Sequence, residues 1–226
     1  MADAARSPDQ RLAFAYLRPH LRAPVEALFA IDSAMGDVVR TTSEPQVGAI
    51  RLAWWRERLE EIDRGVAAPA EPRLKAVESV LLPRGVRGRD LAGLEQGWLS
   101  LFDPFPWEPG TSEAIWFRGR LLFAMAARLL ARTDDAIEEA GGLWALVDVA
   151  RHCSDAESRR MLDEQARTFA RELGGTRFPA ALRPLSMLAA IAVRDLARGE
   201  PFEREGTPGR VLALAAHRLT GRLPRP

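Results

Sequence analysis

Apolar residues recur at spacings of three and four along almost the whole chain, and no strict apolar–polar alternation bounded by turn residues runs long enough to predict a strand. That pattern restricts the fold to an all-α one. Helices are predicted at about 8–21, 24–40, 44–64, 72–82, 88–102, 111–132, 134–152, 155–173, 178–198 and 208–221. Ser7-Pro8-Asp9-Gln10 and Ser43-Glu44-Pro45-Gln46 read as capping boxes, and Thr207-Pro208 sets proline at a first helical position. Gly65, Pro83 to Gly88, Asp103-Pro104-Phe105-Pro106 and Gly174-Gly175 read as stops. Segment 199–209 (GEPFEREGTPG) is the candidate mobile loop.

Short turns between so many helices imply one compact orthogonal or mixed bundle over residues 1–226, a length that supplies a full core. Leu121 to Ala127 and Leu188 to Val193 are apolar around most of the helix circumference, so their helices belong at the centre. A packed core and a lipid-substrate tunnel both fit that composition.

Charge and cysteine usage exclude several classes. With 32 Lys+Arg against 31 Asp+Glu, a nucleic-acid binder relying on bulk basicity is not expected. Every apolar stretch meets a charge before about 18 residues, so no membrane span is predicted. The start, MADAARSPDQ, has no apolar segment of the secretory type. Cys153 is the single cysteine, which removes disulfide frameworks and multi-cysteine zinc sites and predicts a buried, inert thiol. The expected location is the cytoplasm. Lys75 is the only lysine, so any bound anion meets guanidinium groups.

No Ser-His-Asp arrangement is legible, and His20, His152 and His217 are too dispersed for a local metal motif. Gly141-Gly142 and Gly174-Gly175 read as turn pairs, without the spacing of a phosphate loop. Two helical faces carry polar groups in apolar surroundings. Ser33, Gly36, Asp37 and Arg40 share one, and Asp148, Arg151, His152 and Asp155 share the other. Intrahelical ion pairs, Asp37 with Arg40 and Arg151 with Asp155, account for these faces as well as a site does.

The run Ala27-Leu28-Phe29-Ala30-Ile31-Asp32 through Arg40, followed by Arg51-Leu52-Ala53-Trp54-Trp55-Arg56-Glu57-Arg58-Leu59, resembles the first conserved region of the squalene/phytoene synthase family. Leu81-Leu82-Pro83-Arg84-Gly85, Asp90 to Trp98, Trp116-Phe117-Arg118-Gly119 and Leu143 to Arg151 follow the same family's order, so the likeness covers about residues 10 to 200. It implies the all-α isoprenoid-synthase bundle. Active members join two prenyl diphosphates, using two aspartate-rich motifs on facing helices that hold magnesium against the diphosphates.

At those positions this sequence departs from the family. Gly36, Asp37 and Arg40 stand where three aspartates are expected, and His152, Asp155 and Ala156 stand where Asp, Glu and Asp are expected. An arginine about 4 Å from a divalent ion imposes roughly 8 kcal/mol of repulsion at an effective dielectric near 20. The expectation is therefore a non-catalytic relative, with no catalytic residue, no metal ligand and no cofactor. The degenerate first region is similar to the branch that includes the mitochondrial complex I assembly factor, which implies a protein partner. The chain is also short for the family, so incomplete walls around a prenyl tail are expected.

Candidate substrate-binding positions are Asp37, Arg40, Arg51, Arg56, Arg151, His152 and Asp155. Two other readings stand beside this one. In the first, the chain is an active prenyl-diphosphate transferase with an altered magnesium site drawn from Asp37, Asp148, Asp155 and Glu57. In the second, Arg40, Arg51, Arg56, Arg118 and Arg151 hold an isoprenoid diphosphate or anionic lipid without magnesium. Trp54 and Trp55 point about 100° apart on a helix, which predicts one in the core and one at a partner surface. The last helix, Arg210 to Leu219, has apolar and basic faces suited to packing on the bundle or to peripheral contact with an anionic membrane.

Overall fold

The structure, a computed structural model, describes residues 7–225. Its helices are α1 (Pro8–Ala15), α2 (Pro19–Thr41), α3 (Pro45–Asp63), α4 (Pro72–Ala76), α5 (Gly88–Ala92), α6 (Glu95–Leu99), α7 (Pro109–Leu129), α8 (Asp135–Ala150), α9 (Ala156–Leu173), α10 (Arg183–Arg198) and α11 (Pro208–Thr220). A π turn and a short 3-10 turn extend α4 to Arg84, and another 3-10 turn extends α6 to Phe102. No strand forms among the described residues; a lone bridge joins Arg177 and Arg222. The fold is all-α, as the periodicity predicts, and among the described residues no helix is long and apolar enough to cross a membrane.

Proline sets many of the starts. Ser7 caps α1 by accepting a hydrogen bond from the Gln10 backbone, and Thr207 precedes Pro208 at the start of α11. The second predicted box is corrected: Glu44, without a side-chain cap bond, occupies the N-cap of α3 rather than Ser43. The break expected before Pro24 lies instead at Tyr16 to Arg18, because Pro19 takes the cost-free first position and Pro24 stays inside α2. The predicted helix 88–102 divides at Gly93, and the predicted helix 178–198 starts only at Arg183.

Gly141-Gly142, read as a turn, lies inside α8. A Cβ at Gly141 would stand 2.4 Å from the Gly119 carbonyl oxygen, and one at Gly119 would stand 2.2 Å from that of Gly141. The glycine pair is what lets α7 and α8 touch backbone to backbone. Around that contact, Phe29, Phe123 and Trp144 pack ring against ring, and α10 buries nearly every residue from Pro184 to Val193.

Charge ties the ends of the chain together. Arg210, only 2% exposed, bonds Asp9 of α1 at 2.7 Å and also Asp195 of α10, whose second oxygen takes Arg151 at 2.7 Å. Segment 199–207, the candidate mobile loop, is anchored by Arg151 to the Glu203 carbonyl, by Arg194 to the Glu203 carboxylate and by Arg159 to Glu200.

His217 on α11 is buried between Ser186, at 2.8 Å from Nε2, and the Arg222 carbonyl, at 3.2 Å from Nδ1. Burial, reinforced by the Arg183 charge and opposed by the carbonyl, lowers its pKa to about 4 from an ordinary 6.5. The folded imidazole thus resists a proton that the unfolded one accepts. Stability is full above pH 6.5 and is lost as the pH falls toward 4, by about 3 kcal/mol for this group. Denaturant unfolding at pH 7 and pH 4.5 will show the loss, and His217→Gln will flatten the difference; an equal slope in both proteins would refute the assignment.

Candidate functional site

A cleft opens between the C-terminal halves of α2 and α8. Its larger part, about 430 Å³, is lined by Asp32, Ser33 and Arg40 of α2, Trp144 and Asp148 of α8, His152, Trp98, and Arg204 and Glu205 of the loop before α11. A second part of about 240 Å³ continues past Arg40, Asp148 and His152 to an apolar wall of Val39, Leu101, Phe105, Trp107 and Val149. The polar faces recognised in the sequence thus do confront each other.

The floor is built from a buried ion pair. Arg118 of α7, 1% exposed, spans both oxygens of Asp32 at 3.0 Å, and the Trp98 indole donates to the same carboxylate at 2.9 Å. The guanidinium lies 3.8 Å from the Trp98 ring centroid, so indole and cation are held as one unit. Burial raises the Asp32 carboxyl above the usual carboxylate range, with Asp148 adding to the effect, while Arg118 and the Trp98 N–H oppose it. Nε and Nη2 of Arg118 are buried without a hydrogen-bond partner among the described residues.

Trp98 decides what position 36 can be. A Cβ at Gly36 would lie 2.8 Å from the Trp98 ring, and that ring cannot retreat without leaving Asp32 and Arg118. Asp37 pairs with Arg40, one turn on, and lies 3.8 Å from Arg73. On the other wall, Asp155 is the N-cap of α9; bonds from the Ser158 backbone and hydroxyl hold its carboxyl below the usual range. His152 points Nδ1 at the Asp148 carbonyl, 2.8 Å away.

Of the sequence candidates, Arg40, His152 and Arg151 line the cleft, the last while bonded to Asp195. Asp37 and Asp155 flank it in the roles just given. Arg51 reaches Thr41 and Thr42 at the end of α2, and Arg56 bonds Glu95, tying α3 to α6, so neither lines it. Asp32, Arg204 and Glu205 are the charged lining residues outside the sequence candidates; a single acid in an apolar stretch of α2 was the local signal for Asp32. Burial, with Asp9 and Asp148 nearby, raises the Glu205 carboxyl. The Asp148 and Arg204 side chains carry no hydrogen bond or ion pair among the described residues. Cys153 lies at the cleft's edge, its thiol bonded to the Asp155 carbonyl and pushed up by burial.

The fold and cleft define a helical bundle of the isoprenoid-synthase type. The squalene/phytoene synthase family model matches residues 4–97, which carry the first polar face, α3 and Trp-Trp-Arg, so this part of the chain is similar to that family. No curated protein and no solved structure matches the chain. The magnesium that the family implies finds no fitting donors: the indole fills the space beside Gly36, Asp37 faces two arginines and Asp155 is spent on a helix cap. Among the described residues no three His, Cys, Asp or Glu side chains converge in a way that holds a metal ion.

Proposed function

We propose that this chain is a non-catalytic member of the squalene/phytoene synthase family that acts by binding a partner, in the manner of an assembly factor. The observation that carries the reading is Trp98 packed against Gly36, because it occupies the place of a carboxylate that metal-assisted ionisation of a diphosphate needs. Arg40 adds a positive charge where a second carboxylate would be required.

Partner binding draws support from α3. Trp55 is in the core while Trp54 is 41% exposed, and Val47 and Ile50 share the exposed face with it. That divided tryptophan pair is the arrangement expected of a helix with one face on the bundle and the other available to a protein.

A second reading, a magnesium-independent cleft for an anionic isoprenoid lipid, is favoured by one feature. Arg204, unpaired among the described residues, stands with Arg40 and His152 at the rim of a cleft whose far wall is apolar. One experiment separates the readings: incubation with geranylgeranyl diphosphate and magnesium, following diphosphate release, and thermal unfolding with the same ligand in chelator. Neither release nor stabilisation is expected for a partner-binding protein. Stabilisation without release would favour the lipid reading, and robust release would overturn both.

A further inference from the structure

At the N-terminal end of α2, about 17 Å along the helix from Asp32 in the cleft, a separate hollow of about 380 Å³ lies between the α1–α2 turn, the end of α7, the segment before α10, and α11. Three arginines line it, Arg18, Arg132 and Arg218, and no aspartate or glutamate does. The side chains of Arg18 and Arg132 carry no hydrogen bond or ion pair among the described residues. Arg218 lies 5.5 Å from the Tyr16 ring centroid, with Nε buried and without a hydrogen-bond partner among the described residues.

Several other arginines of the molecule are matched with acids. Arg58 is neutralised by Glu61, Arg120 by Glu138 and Glu139, and Arg194 by Glu203; the cleft mixes its arginines with Asp32, Asp148 and Glu205. With bases and acids almost equal over the chain, three cations around one hollow are a local excess rather than a reflection of net charge. Leu17, Leu21, Leu130 and Pro184 supply an apolar wall beside them. The chain turns sharply there: Ala131, a non-glycine residue at φ 54°, ends α7 directly before Arg132.

Planar guanidinium forks match phosphate oxygens two at a time, and a dianion can be shared by arginines that carry no partner of their own. We propose that this hollow is a second binding site, for a phosphate group borne on an apolar body. An anionic phospholipid headgroup and a soluble phosphate share that chemistry. The site is independent of the cleft and of the non-catalytic reading.

The test uses the full chain, titrated calorimetrically with inorganic phosphate and sedimented with phosphatidylcholine vesicles with or without phosphatidic acid. Arg18 and Arg132 are exposed, so the double variant Arg18→Glu/Arg132→Glu keeps its fold, checked by circular dichroism and melting temperature. It is expected to weaken binding by at least about tenfold, whereas Arg160→Glu on the exposed face of α9, which lines neither the hollow nor the cleft, leaves it unchanged. Binding of phosphate itself supports the site with a soluble ligand; binding only to vesicles that carry phosphatidic acid supports it with a lipid one. No binding of either by the natural chain, equal binding by the double variant, or an equal loss in Arg160→Glu would overturn the proposal.

Discussion

Replacing Arg118 with methionine is expected to lower the unfolding free energy by about 3–5 kcal/mol, the cost of leaving a buried charge without its counter-charge. Asp32 would keep only the Trp98 N–H, in a site where burial already raises its carboxyl above the usual range. Trp98 would lose the cation stacked on its face, and with it part of the reason it stays against Gly36. The double replacement Asp32→Leu/Arg118→Met should recover most of the loss, since removing both charges leaves neither one stranded. Denaturant midpoints at an unchanged m-value are the measurement. A loss below about 1 kcal/mol for the single variant would show that the pair does not hold up the cleft floor.

Asp195→Ala is expected to cost a similar amount, about 3–5 kcal/mol, because one carboxylate neutralises two guanidinium groups, Arg210 at 2% exposure and the largely buried Arg151. Arg210 would retain Asp9, and Arg151 would retain the Glu203 carbonyl. The effect should therefore spread beyond α10 to the α1 and α11 contacts and to the segment that carries Arg204 into the cleft. Limited proteolysis within 199–207 would report that spread, alongside the fall in melting temperature. Unchanged stability would mean that Arg151 is held in place without Asp195 and is free to serve as an anion ligand, as its position in the sequence first implies.

Much of the fold is legible because helices announce themselves locally. Ser7 marks a start by side-chain capping and Pro208, after Thr207, marks one by taking the first helical position, signals that need only a few consecutive residues, and the apolar stretches of α7 and α10 lie where the core is. The misplacements have equally local causes. Pro24 looks like a break, yet one missing ladder bond is tolerated when Pro19 has already started the helix and the residues beyond pack into the core. Gly141-Gly142 looks like a turn until Gly119, from another helix, supplies the reason for two residues without side chains.

The candidate site was legible only in outline. Asp37, Arg40, Arg151, His152 and Asp155 mark the right helices, but their bonding differs residue by residue. Asp155 caps α9 and Arg151 bonds Asp195, 44 positions along the chain. Asp32 pairs with Arg118 across 86 positions, and Arg204 enters from a loop. No periodicity connects such residues.

By itself the sequence determined the all-α class and the helices that flank the cleft, because each depends on residue type and on spacing within a few turns. Only the tertiary structure decided that the space beside Gly36 belongs to Trp98, that Arg118 fixes that indole through Asp32, and that Arg18, Arg132 and Arg218 gather at the far end of α2. Those are meetings of distant segments, and packing and charge pairing bring them about only once the whole chain has folded.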